Sequence, residues 1–159
     1  MNFNDFKDEL KNFIPADIAF VGLGSQLRKD DAAGLVFLDK LRQKHPFFKS
    51  RFIYAAANPE NYLHQILLCD PKLIIFVDTV HTDNHNNIIY WLYPEQIDSS
   101  QLSTHAFSLT LIGQYLRECM PLEVRFLAIE VSSPDGFGHG LSDSTCETLN
   151  NFFNEGPAK

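Results

Sequence analysis

Three residues stand where metal binding or hydrolysis could be organised. Asp31 follows a glycine-containing apolar run, Asp78 directly follows Leu73-Ile74-Ile75-Phe76-Val77, and His105 heads a helix-patterned segment. Two oxygen ligands and one nitrogen suit a borderline divalent ion such as zinc or nickel, with coordination positions left open to water or an incoming ligand. Each residue also has an ordinary structural use: Asp31 as a helix cap, Asp78 as a strand end, His105 as a helix start. Spacing alone favours that plainer reading. Asp30, adjacent to Asp31, fits either a supporting or general-base role or a helix N-cap. His81 and His85 follow Asp78 and could compete as ligands; like His139 between its two glycines they read as solvent-facing, and His45 and His64 as helix-surface positions.

Other chemistries find no foothold. G-x-S-x-G and H-E-x-x-H are absent, which removes the common serine-hydrolase and zincin arrangements. Gly22-Leu23-Gly24 opens like a dinucleotide fingerprint, but Leu27 stands where a third glycine is needed and Arg28-Lys29-Asp30-Asp31 delay the helix. Cys69, Cys119 and Cys146 are odd in number, contain no C-x-x-C pair and sit in helix-like apolar patterns. They read as core thiols, which argues against a disulfide framework and a thiolate zinc site.

The elements that must position the three residues follow from periodicity. Phe3, Phe6, Leu10 and Phe13 predict an amphipathic helix ended near Pro15, and Ile18 to Leu23 a first strand stopped by Gly24. Gly34, Phe37, Leu38 and Leu41 give a helix that starts at Asp30 or Asp31. Arg51 to Ala56 is a second strand, and Asn58-Pro59 caps a helix through Tyr62, Leu63 and Ile66. Leu73 to Val77 is a strand apolar enough to be covered on both faces. Ile88 to Leu92 is a fourth strand after a polar turn, a helix through Ser108, Leu111, Ile112, Tyr115 and Cys119 begins near His105, and Val124 to Ile129 is the last strand. Ser144 with Glu147 makes a capping box for a final helix through Cys146, Leu149 and Phe153.

This alternation predicts an α/β chain, a three-layer α/β/α sandwich with a mostly parallel sheet. In such sheets ligands bind beyond the carboxyl ends of the strands, and Asp31, Asp78 and His105 all belong there. A length of 159 residues suits one domain over 1–159. A net charge of −7 without a basic cluster argues against nucleic acid. No apolar run approaches the ~20 residues of a membrane span, and the charged N-terminus is unlike a signal peptide, so the sequence reads as cytoplasmic.

Laid out this way, the chain resembles the hydrogenase maturation endopeptidases, which remove a C-terminal extension from the large-subunit precursor of nickel-iron hydrogenase. The resemblance covers roughly Ile18 to Phe153. Its most specific part is the segment Gly22 to Gly34, matching G-x-G-N-x-L-x-x-D-D-x-x-G, where the fourth position is Ser25 in place of asparagine and the tenth, Asp31, is aspartate or glutamate in the family. Asn58-Pro59-Glu60-Asn61 is similar to the family's P-E-N segment, Ile74 to Asp78 to its apolar strand ending in V-D, and Ser103-Thr104-His105 to its S/T-x-H. The family's Pro-Gly before the fourth strand is replaced by His85-Asn86-Asn87.

The resemblance implies a five-stranded mixed sheet with Ile88 to Leu92 as an antiparallel edge strand. The short Asp83–Asn87 connection supports this independently, since it cannot carry a crossover helix. It further implies an aspartic-type peptidase whose metal-binding residues are Asp31, Asp78 and His105. The metal would be nickel borne by the precursor, with zinc or cadmium able to occupy the same site. Gly24, Ser25 and Gly138 would line the path of the substrate, and the Ser132–Leu141 loop could receive the precursor tail or be plain surface. Two other readings stay open: a non-catalytic protein of the same fold that binds nickel-loaded hydrogenase, and an unrelated metal-dependent hydrolase of small substrates.

Overall fold

The computed structural model describes residues 1–83, 86–93, 106–132 and 138–154, with backbone alone for 106–108. Five strands form one sheet: β1 (Ile18–Leu23), β2 (Arg51–Ala56), β3 (Leu73–His81), β4 (Ile89–Leu92) and β5 (Glu123–Val131). Their spatial order is β2-β1-β3-β5-β4; all neighbours are parallel except β4 and β5, which pair antiparallel. The five-stranded mixed sheet with its antiparallel edge is thus borne out.

Helices cover both faces, because the central strands are apolar on both. On one side α1 (Phe3–Leu10), α2 (Ala33–Leu41) and α5 (Asp143–Phe153) bury Phe3, Phe6, Phe37, Leu38, Leu149 and Phe152 against Ile18, Phe20, Leu73 and Ile75. On the other, α3 (Leu63–Leu68) and α4 (Ala106–Cys119) bury Ile66, Leu109, Ile112 and Leu116 against Val21, Ile74, Phe76 and Phe126. Among the described residues no helix is long and apolar enough to cross a membrane.

The glycines of the first motif set how closely α2 approaches the sheet. A Cβ on Gly34 would lie 2.6 Å from the Leu23 carbonyl oxygen and 2.7 Å from that of Val77, and one on Gly22 would meet Leu38 Cδ2 at 2.9 Å. Gly24 has φ +119, and a Cβ there would fall 1.7 Å from the Asp31 carbonyl oxygen. The G-x-G and the distant third glycine therefore serve backbone proximity, with α2 seated directly on the end of β1 and the middle of β3.

Several expected boundaries are corrected. β3 continues to His81 and β5 to Val131, because their pairing persists from Asp78↔Ala128 to His81↔Val131; Asp78 is consequently inside its strand. α1 ends at Leu10, short of Phe13, and is stapled at its start by a reciprocal Asn2–Asp5 capping box. The cap of α5 is Ser142, whose Oγ accepts from Thr145 N, while Ser144 Oγ donates instead to Asn87 Oδ1. Asn58 makes no side-chain cap, and α3 is preceded by a 3-10 turn over Pro59–Tyr62. Two of the three cysteines are not core thiols: Cys119 and Cys146 are exposed, whereas Cys69 is half-buried and packs against the core on the α3 side. His45 is exposed but in a turn, and His81 is half-buried at the end of β3.

Candidate active site

β1 stops at Leu23 while β3 and β5 run on together, which leaves a notch beside Asp78–His81 at the carboxyl end of the sheet. The loop from Gly24 to Ala32 folds back into this notch. It does so because Gly24 supplies a φ closed to other residues, and its N–H is held by the Ala56 carbonyl at 3.0 Å. Ser25 Oγ then accepts from Leu27 N at 3.3 Å, closing a short side-chain turn. An asparagine side chain makes the same kind of turn, so Ser25 preserves the local geometry of the motif it departs from.

The paired aspartates lie in a 3-10 turn over Lys29–Ala32, where successive side chains diverge by about 120°. Neither caps α2, since no side chain hydrogen-bonds the start of that helix. Asp31 turns into the notch: its Oδ2 accepts from Ser25 N at 2.8 Å and its Oδ1 from Thr79 Oγ1 at 3.4 Å. Asp30 turns the other way and is 3% exposed, with Oδ1 accepting from Ser142 N and Oδ2 from Ser142 Oγ, both at 2.7 Å. Asp30 therefore braces the loop against the first turn of α5 and is shut off from incoming substrate. Asp30→Ala is expected to cost about 1–3 kcal/mol, because Ser142 N–H loses its acceptor at a part-buried position; urea unfolding measures it.

Asp78 is 7% exposed, and its Oδ1 accepts from Thr79 N at 2.8 Å. Strand alternation places Asp78 on the face of Ile74 and Phe76, and Thr79 on the face of α2. Asp78 within β3 and Asp31, bonded to its neighbour Thr79, thus lie at consecutive residues of that strand on its two faces, next to a strand that has ended. α4 packs on the Asp78 face and leads into β5 through a short connection, so its first residue, Ala106, lies at the carboxyl end of the sheet. His105, which precedes Ala106 in sequence, lies outside the described residues, as does His85. Among the described residues no three histidine, cysteine or acidic side chains are close enough to share one metal ion.

Two further loops reach the rim. Gly138 pairs with the first loop through its backbone: its N–H donates to Leu27 O at 2.9 Å and its carbonyl accepts from Lys29 N at 3.2 Å. Gly138 and Gly24 thereby act as structural clamps. Leu27, held between them, keeps its apolar side chain 58% exposed. Asn87 adopts the left-handed conformation at φ +51, one that asparagine tolerates better than most residues. Its Oδ1 accepts from both Ser132 Oγ and Ser144 Oγ at 3.0 Å. Glu130, 3% exposed, accepts from Thr82 Oγ1 and from Asn86 N. The polar brace formed by Asp30, Asn87, Glu130 and their partners was missed from sequence, since none of its members falls into a periodic pattern. A cleft of about 410 Å³ beside the loop is lined by Gly24, Ser25, Leu35, Tyr54 and Ala56. Burial and the acceptor Asp39 raise the Tyr54 phenol above its ordinary value, so it stays protonated at neutral pH.

No family model matches the chain. A proposed hydrogenase maturation protease of Methanocaldococcus jannaschii is 25% identical over 130 residues, which are 77% of this chain and 76% of that one. The crystal structure of the nickel-iron hydrogenase maturation protease HycI from Thermococcus kodakarensis superposes with a TM-score of 0.73 at 22% identity, covering 91% of each chain. The solution structure of the endopeptidase HycI from Escherichia coli gives 0.67 at 20% identity, over 84% of each. The fold is that of the hydrogenase maturation proteases, and the resemblance read from the motifs is borne out by these comparisons.

Proposed function

We propose that this chain is an endopeptidase that removes the C-terminal extension from the large-subunit precursor of a nickel-iron hydrogenase once nickel has been inserted. The observation that carries this reading is Asp31, turned away from its own helix and hydrogen-bonded to Thr79 Oγ1 beside Asp78, at the strand ends of a maturation-protease fold. A plain helix cap would have no reason to sit there. Asp31, Asp78 and His105 are the residues that meet the nickel carried by the precursor: two carboxylates and a neutral imidazole match the donor preference of a borderline ion.

Engagement of that nickel makes cleavage conditional on a completed substrate, and it fixes the scissile peptide at the notch, where positioning lowers the barrier to hydrolysis. The metal arrives as cargo, so the protein itself needs only side chains held at the right place. The brace through Asp30 and Ser142 and the bond from Ser25 N to Asp31 supply that order.

The experiment is to incubate the protein with nickel-loaded and nickel-free precursor and to follow the large subunit by intact mass. Shortening with the loaded form alone is expected. His105→Ala should abolish that shortening while its thermal midpoint stays close to wild type. A stable His105→Ala variant that still processes would reject the ligand assignment, and binding without any cleavage by the wild type would favour the non-catalytic reading.

A further inference from the structure

Between α2 and α5 runs a cleft of about 540 Å³ that opens beside the first loop. One wall is a single row, Ala32 just before α2 and Val36 and Lys40 on it, spaced four residues apart; the other carries Cys146, Leu149 and Asn150 of α5. Gln26 of the first loop lines the near end of the cleft, where Ala32 follows Asp31 in the chain. From there to Lys40 is eight helical residues, or about 12 Å, the length of roughly three to four residues of extended peptide.

The character of the walls changes along this path. At the loop end stand Gln26 and His139; beyond them the floor is apolar, with Ala32, Val36, Leu141 and Leu149, and at the far end Lys40 stands with its ammonium group donating to Asn150 Oδ1 at 3.2 Å. No acidic side chain is among the described lining residues, although acidic groups outnumber basic ones by twenty to thirteen in the chain. An apolar lane that ends on a lysine, in a protein of net charge −7, complements an apolar segment bearing a carboxylate.

We propose that this cleft receives the part of the precursor extension beyond the scissile bond: an apolar stretch of three or four residues lying along α2, with a carboxylate at Lys40. The inference rests on the processing function proposed above and adds where the released peptide is held. Lys40 then contributes to substrate binding and touches none of the reacting groups.

The test uses the full chain and a synthetic peptide with the sequence of the precursor extension, made with a free and with an amidated C-terminus. Cys146 lines the cleft and Cys119 lies on α4, both exposed, so their alkylation by iodoacetamide can be compared residue by residue by mass spectrometry. Saturating peptide should slow Cys146 several-fold and leave Cys119 unchanged. Loss of protection on amidation identifies the terminal carboxylate as the group at Lys40; protection that survives amidation but fails in Lys40→Glu identifies an acidic side chain. With nickel-loaded precursor, Lys40→Glu should raise KM about tenfold at little-changed kcat, Lys40→Arg should largely restore it, and Lys11→Glu on the exposed end of α1 should match wild type. Wild-type processing together with unprotected Cys146 and an unaltered KM in Lys40→Glu would overturn the cleft assignment and leave the protease reading standing. Failure of the wild type to process any loaded precursor would overturn both.

Discussion

Gly34→Ala is expected to lower the thermal midpoint by roughly 6–12 °C, the counterpart of about 3 kcal/mol in a chain of this size. The added methyl would meet two backbone carbonyl oxygens, those of Leu23 and Val77, at 2.6 and 2.7 Å. Neither can rotate aside as a side chain would, so α2 must lift from the sheet, which strips contacts from Phe37, Leu38 and Leu41. The ~1 kcal/mol by which alanine exceeds glycine in helix propensity is too small to compensate. Gly113→Ala in α4 is the internal contrast, because its Cβ would find Val124 Cγ1 at an ordinary 3.5 Å; the same propensity gain should there leave stability unchanged or slightly higher. Thermal unfolding of both variants checks the pair. A Gly34→Ala midpoint within about 1 °C of wild type would mean that the close approach of α2 is not needed.

Asp31→Asn should reduce processing of nickel-loaded precursor roughly a hundredfold to a thousandfold, on the scale of losing a charged group aimed at a reacting centre. Stability should change by no more than about 1 kcal/mol, since the amide oxygen can keep the bond from Ser25 N. Thr79→Val, which removes the other bond to Asp31 and leaves the charge, separates orientation from charge and should fall between wild type and Asp31→Asn. Single-turnover processing followed by mass reads all three. Activity of Asp31→Asn within tenfold of wild type would place the metal-recognising charge elsewhere.

Much of this framework is legible in the sequence, for identifiable reasons. β1 and β2 were read to the residue because Gly24 and Asn58-Pro59 punctuate them. The antiparallel β4 followed from a connection too short for a crossover. β3 was cut short at Val77 because an aspartate ends the apolar run, although its backbone still pairs with β5 for four more residues. The cap of α5 was misread because Ser142 and Ser144 are equally good cap residues locally; the choice is made by Asn87 and Asp30, distant in sequence. Cys119 and Cys146 were misread because helical periodicity locates an apolar face more sharply than it locates its edge. Asp30 and Asp31 are the most instructive pair. They are chemically identical neighbours, and only the 3-10 turn decides that one braces α5 and the other faces the notch.

The strand order also bears on how the chain reaches this structure. β3 lies at the centre of the sheet, pairing with β1 from about 50 residues earlier and with β5 from about 50 residues later. Until residues 123–131 have left the ribosome, the segment LIIFVDTVH has one backbone edge unfilled, and until α4 has emerged before them one apolar face lacks its cover. Parallel pairings of such separation close slowly, and an exposed strand of this composition is a template for self-association. The synthesis of this protein therefore passes through an interval in which its central strand is open to self-association, and truncations that end before β5 should accumulate as aggregate rather than as a smaller folded domain.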